Sequence, residues 1–177
     1  NSAYSHRVTW KFGDSSAIQT VTAGVSSASY TIPLNWLKAI PNAASGTASA
    51  TLETLDASGN VLGTSSYNFT VTVPAGVTPN LESVTVAPVN SNSVLAGWNA
   101  YAYGKSQAKI TVNGASGAYG STIKSYSITT DPSVGSANAS SLTTGTLYKT
   151  GKVNVTAKVT DSRGRTATQS ATFSVSA

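Results

Sequence analysis

Tyr67-Asn68-Phe69-Thr70-Val71-Thr72-Val73 is the stretch that decides how this chain folds. Its odd-numbered residues are aromatic or aliphatic and its even-numbered ones are Asn or Thr. Period-two alternation of this kind marks an extended strand with one buried and one wet face. The same pattern returns at Thr168-Gln169-Ser170-Ala171-Thr172-Phe173-Ser174-Val175. Between them, Val73-Pro74-Ala75-Gly76-Val77-Thr78-Pro79-Asn80 continues neither pattern, because its prolines and glycine interrupt a strand. The chain therefore reads as two all-β modules in tandem, residues 1–76 and 77–177. Pro74 and Pro79 fix φ locally and predict restricted hinging between them.

Working outward, 177 residues suffice for two sandwiches of about 80–100 residues each. Charged residues make up 10% and hydrophobic ones 40%, a balance that supplies a core and excludes disorder. The chain has no Cys, which removes disulfides and thiolate metal sites and favours assembly in a reducing cytosol. It has no Met either, as expected of a fragment or processed product. No apolar run is long enough for a membrane span. Residues 1–77 carry three cations and three anions, whereas 78–177 carry eight cations against three anions. The whole net charge of +5 thus falls on the second module. Such a module suits an anionic wall polymer or acidic partner; equally, its lysines serve as solvated guards of strand edges.

In the first module, Tyr4, His6, Val8, Trp10 and Phe12 share the parity expected inside, and Gly13-Asp14-Ser15-Ser16 supplies a turn. Short strands are predicted around 17–22 and 28–32, the second burying Ala28, Tyr30 and Ile32. Pro33-Leu34-Asn35-Trp36-Leu37-Lys38-Ala39-Ile40-Pro41 is the one helical candidate, with Leu34 and Leu37, and with them Trp36 and Ile40, toward the core. A strand over 47–55 and a hairpin loop at 56–60 lead to the closing strand. In the second module, strands are predicted over 81–87, through the alternating Val94, Ala96, Trp98, Ala100 and Ala102, and at 108–112. Gly114 to Gly120 reads as an exposed loop tipped by Tyr119; it lacks the Lys and following helix of a phosphate loop. Val153, Val155, Ala157 and Val159 bury one face of a strand, and Asp161-Ser162-Arg163-Gly164-Arg165 forms a tight hairpin.

Six acidic residues and one His form a sparse catalytic set. No nucleophile elbow accompanies His6, and the turn positions of Asp14, Asp56, Asp131 and Asp161 fit local capping better than catalysis. No Asp-rich run suits calcium, and Lys11 and Lys109 fall on wet faces, unsuited to an internal Lys–Asn crosslink. The expectation is a non-enzyme with no cofactor and no metal. No helix or aromatic strand motif is laid out for nucleic acid.

Several strings resemble the immunoglobulin-like modules of tail-associated proteins from siphophages and prophages of Gram-positive bacteria. In the first module these are Trp10-Lys11-Phe12-Gly13, Thr31-Ile32-Pro33-Leu34, Ala39-Ile40-Pro41-Asn42-Ala43, Ser45-Gly46-Thr47 and Phe69 to Pro74. In the second they are Tyr103-Gly104-Lys105-Ser106, Ser116 to Tyr126, and Val159 to Thr166. The resemblance implies two tandem immunoglobulin-like antiparallel β-sandwich domains, with one short helix in the first. It also implies a virion structural component at or near the tail tip, acting in structure or host attachment. Its partners would be other tail proteins, host cell-wall glycan or teichoic acid, and further copies of itself in the full-length protein. It supplies no site residues. From the residues themselves, Tyr101, Tyr103 and Tyr119 offer sugar-stacking faces, and Lys105 and Lys124 offer cations for phosphate; rim packing explains the same tyrosines. The alternatives are a bacterial surface adhesin or stalk segment, located on the cell surface, and an accessory binding module of a lytic enzyme.

Overall fold

The computed structural model describes residues 3–177, so positions 1 and 2 of the expected first module lie outside the described residues. Contacts divide the chain into two compact units, Asn1–Ala75 and Gly76–Ala177. The architecture is all-β, as the alternation predicts, with antiparallel sheets layered around a core and one short helix in the first unit.

In the first unit, β1 (Ser5–Phe12), β2 (Ser15–Val21), β3 (Ser45–Leu55) and β4 (Val61–Thr72) form one antiparallel sheet, ordered β2-β1-β3-β4. The β1–β2 turn has two residues, and Gly13 takes φ 56 at its first position, which glycine adopts without penalty. The layer opposite this sheet comes from the segment after β2 and from a 3₁₀ helix, Leu34–Ala39. Phe12, Trp36 and Ala48 are its buried centre, with Trp10, Tyr30, Ile32, Ile40, Phe69 and Val71 packed around them. Trp10 stacks on Tyr30 at 5.9 Å and meets Phe69 edge-on at 6.0 Å.

Two expectations for this unit are corrected. Residues 28–32 join no ladder; Tyr30 and Ile32 are anchored through their side chains, and Gln19 Nε2 donates to Ser29 O at 2.9 Å. Leu34 points out, 44% exposed, whereas Trp36 and Leu37 are buried. Pro33 stands just before the helix, and its carbonyl accepts from Trp36 N at 3.0 Å.

The second unit is a two-sheet sandwich. One sheet runs β6 (Tyr101–Ala102), β11 (Thr166–Ser176), β10 (Gly151–Asp161), β8 (Ile123–Asp131); the other runs β5 (Asn80–Asn90), β7 (Ser106–Ser116), β9 (Ser141–Thr143). All pairings are antiparallel except β6 with β11. Ile110, Ile128, Val153, Val155, Ala157, Val159, Phe173 and Val175 fill the space between the sheets. The outer face of β10 carries Lys152, Asn154, Thr156 and Lys158, as the alternation predicts.

A correction concerns 94–100, which forms no strand. Leu95 N donates to Asn92 O and Trp98 N to Leu95 O, so successive turns replace a ladder. Asn92 Oδ1 accepts Val94 N at 2.9 Å, and Gly97 takes φ 80. Alternating alanines bury too little surface to overrule that local turn chemistry.

Candidate functional site

The candidate residues separate along β7. Tyr101, Tyr103 and Lys105 precede its first residue, whereas Tyr119 and Lys124 follow its last. An eleven-residue strand spans about 34 Å at 3.4 Å per residue, so the five do not share one surface.

The end bearing Lys105 is built on a polar knot. Asn90 Nδ2 donates to Trp98 O and Ala100 O, both at 3.1 Å, tying the 91–100 turns back to β5. Asn90 Oδ1 accepts a short hydrogen bond from the buried Ser106 hydroxyl, which itself accepts Ala102 N at 2.8 Å. Tyr103 N donates to Ser176 O and Gly104 N to Leu147 O, each at 2.8 Å. Leu147, buried in the core, thereby fixes Tyr148 beside Tyr103, and the two rings meet edge-on at 5.8 Å.

Tyr148 is 66% exposed and Trp98 59%, so this end presents three aromatic rings on restrained backbone. Beside Tyr103 a shallow hollow of about 440 Å³ is walled by Val94 and Leu95, with Lys105 at its margin. Apolar faces next to a solvated ammonium can stack on sugar rings while attracting anions. Tyr101 does otherwise: it is half-buried and tilted against Phe173 at 4.6 Å, and burial pushes its phenol pKa up. Tyr148 and Trp98 escaped the sequence reading because a tyrosine after Leu147 carries no local mark of the bonds that place it. The alternation predicts Trp98 within a strand.

At the opposite end, Tyr119 sits at φ 47 in the turn after β7. Arg163 donates through Nη1 to Ala118 O and through Nη2 to Tyr119 O, both at 2.7 Å. Its pKa falls because burial desolvates the guanidinium; the charge of Asp161 opposes this and that of Arg165 adds to it. Arg165 Nη1 donates to Val77 O at 3.2 Å. Both arginines therefore hold loops together, and the exposed cations of this unit are its lysines. Lys124 and Lys158 border one polar groove of about 560 Å³ with Asn138 and Ser127.

In the first unit, His6 Nδ1 lies 3.1 Å from Thr54 Oγ1, on the rim of a hollow of about 260 Å³ with Val8, Val21 and Leu52. Glu53 is paired bidentately with Arg7 at 2.9 and 3.0 Å. Among the described residues, no group of three or more His, Asp or Glu could hold a metal ion, and no helix is long and apolar enough to cross a membrane.

The family described as siphovirus protein of unknown function (DUF859) matches residues 1–176. No curated protein matches the sequence. Among solved structures, the fibronectin(III)-like modules of Clostridium thermocellum CbhA are similar at 17% identity and a TM-score of 0.40; the match covers 96% of this chain and 77% of that one.

Proposed function

The chain belongs to this siphovirus family, and from that premise we propose that it is a structural and display module of the virion tail or fibre. In this reading its second unit touches the cell wall of a Gram-positive host. Family membership favours the virion over a bacterial adhesin. The observation that carries wall contact is the aromatic end of the second unit: Trp98, Tyr103 and Tyr148 stand exposed on backbone pinned by Asn90, Ser106 and Leu147, and Lys105 borders the hollow beside Tyr103. Stacking on glycan rings with a cation beside them requires rigid rings of this kind. The module acts without catalysis in this account, since Glu53, Asp56 and Asp161 are engaged in an ion pair and in turn hydrogen bonds.

The test is co-sedimentation of the full chain with Gram-positive walls, intact and stripped of teichoic acid, across a salt series. Binding lost on stripping and in salt would identify the polymer phosphates as ligand; salt-resistant binding would identify glycan stacking. No sedimentation with walls from any host of the phage would end the wall-contact reading and leave a scaffold.

A further inference from the structure

A sheet edge is a row of unpaired backbone donors and acceptors, and proteins normally blunt it with charge, proline, short strands or covering segments. The second unit does this at all four edges. β8 carries Lys124 and Asp131, β5 carries Glu82 and Pro88, and β6 and β9 have only two and three residues. In the first unit, β2 has seven residues, and the chain after it returns across Gln19.

β4 has none of these devices; its single irregularity is a bulge near its start, where Leu62 is skipped in the register with β3. It is twelve residues long, Val61-Leu62-Gly63-Thr64-Ser65-Ser66-Tyr67-Asn68-Phe69-Thr70-Val71-Thr72, without charge or proline. Its one ladder partner is β3, and among the described residues no other backbone hydrogen bond reaches 61–72. The strand is exposed on both faces from Val61 to Asn68, with Tyr67 60% exposed.

We infer that β4 pairs edge to edge with β4 of a second copy of this chain. A two-fold axis normal to the sheet runs the two strands antiparallel and keeps Tyr67, Phe69 and Val71 on one continuous face. Same-face pairing places the axis at Ser66, overlapping 61–71, or at Tyr67, overlapping 62–72. An uncharged strand opposes itself without repulsion, whereas a charged partner strand would find no ion pair on it. The pairing extends the four-stranded sheet to a continuous sheet through both copies and covers Val61, Leu62 and Tyr67. An edge contact alone is small, so association is expected at high protein concentration, as among clustered copies.

The test is sedimentation velocity on the full chain from micromolar to hundreds of micromolar, with Ser66→Lys and Ser66→Glu, whose side chains lie within two residues of their symmetry mates in either register. The native chain should dimerise with concentration. Each charge variant should weaken the dimer about tenfold or more. An equimolar mixture of the two variants should restore it, an outcome that misfolding cannot produce. A native chain that stays monomeric throughout overturns the inference. So does undiminished association of both variants, or a mixture that remains monomeric.

Discussion

Asp161 and Arg163, two positions apart, are joined by a hydrogen bond from the arginine amide to the carboxylate and then divide their labour. The carboxylate accepts the arginine's own amide at 2.9 Å, while the guanidinium reaches across to Ala118 O and Tyr119 O. Asp161 also accepts Arg165 N at 2.8 Å and the Ser121 hydroxyl at 3.3 Å, and is only 1% exposed.

Replacing Asp161 with Ala should therefore leave buried donors without an acceptor. We expect a loss of about 2–4 kcal/mol in the second unit. Urea unfolding followed by tryptophan fluorescence would read it through Trp98, with Trp10 and Trp36 reporting the first unit. A loss below the measurement error would mean that water replaces the carboxylate.

Glycine is needed at Gly13 for two reasons and at Gly59 for one. A Cβ on Gly13 would lie 2.7 Å from Ala39 Cβ, whereas one on Gly59 would meet nothing, although both residues have positive φ. Gly13→Ala should cost about 2–4 kcal/mol, and Gly59→Ala about 1 kcal/mol. Thermal denaturation of the two variants checks the order; equal costs would show that Ala39 moves aside.

Acid should weaken the first unit before its ordinary carboxyls are fully protonated. The pKa of Glu53 is lowered by its hydrogen bonds from Arg7, and that of Asp56 by the Asn60 amide and side chain. A carboxyl depressed in the folded state stabilises above its unfolded pKa, and that share is lost as pH falls through the folded value. Melting of the native chain should therefore decline from the ordinary carboxylate range downward. Glu53→Gln and Asp56→Asn should flatten this slope while lowering stability at neutral pH. Because the Arg7–Glu53 pair is only part-buried, high salt should shrink the Glu53 effect.

Two tyrosines at one end of the second unit should answer to different assays. Tyr101→Ala removes a ring from Phe173 and should destabilise by about 2–4 kcal/mol. Tyr148→Ala should change stability by no more than about 0.5 kcal/mol yet lower wall sedimentation several-fold. Tyr119→Ala, about a strand's length away, should leave wall binding unchanged. Equal binding loss from Tyr119→Ala and Tyr148→Ala would move the contact away from this end.

Long alternating strands could be read directly from the sequence. Val153, Val155, Ala157 and Val159 are all buried because β10 lies between two strands, where the pleat alone decides what faces the core. The Asp161 hairpin was equally legible, since an acid accepting turn amides is a local matter. The same alternation misled at 94–100, where Asn92 and Gly97 impose turns. It misled again at Tyr67, which has the inward parity but lies where nothing covers the sheet. The candidate site was half visible. Tyr103 and Lys105 are close neighbours in sequence and in space, but Tyr148 joins them only through the carbonyl and amide of Leu147. The roles of Arg163 and Arg165 as loop ties were hidden behind their charge.

The chain enters the second unit along β5 from Asn80 and leaves along β11 toward Ser176, at opposite ends of the sandwich. Tension applied through the chain therefore pulls along both strands. β5 must slide past β7 over ten paired residues, and β11 past β10 over another ten, with the parallel β6 contact sheared as well. Sliding breaks many hydrogen bonds together, whereas peeling breaks them one by one. The unit is thus laid out to resist stretching along the chain.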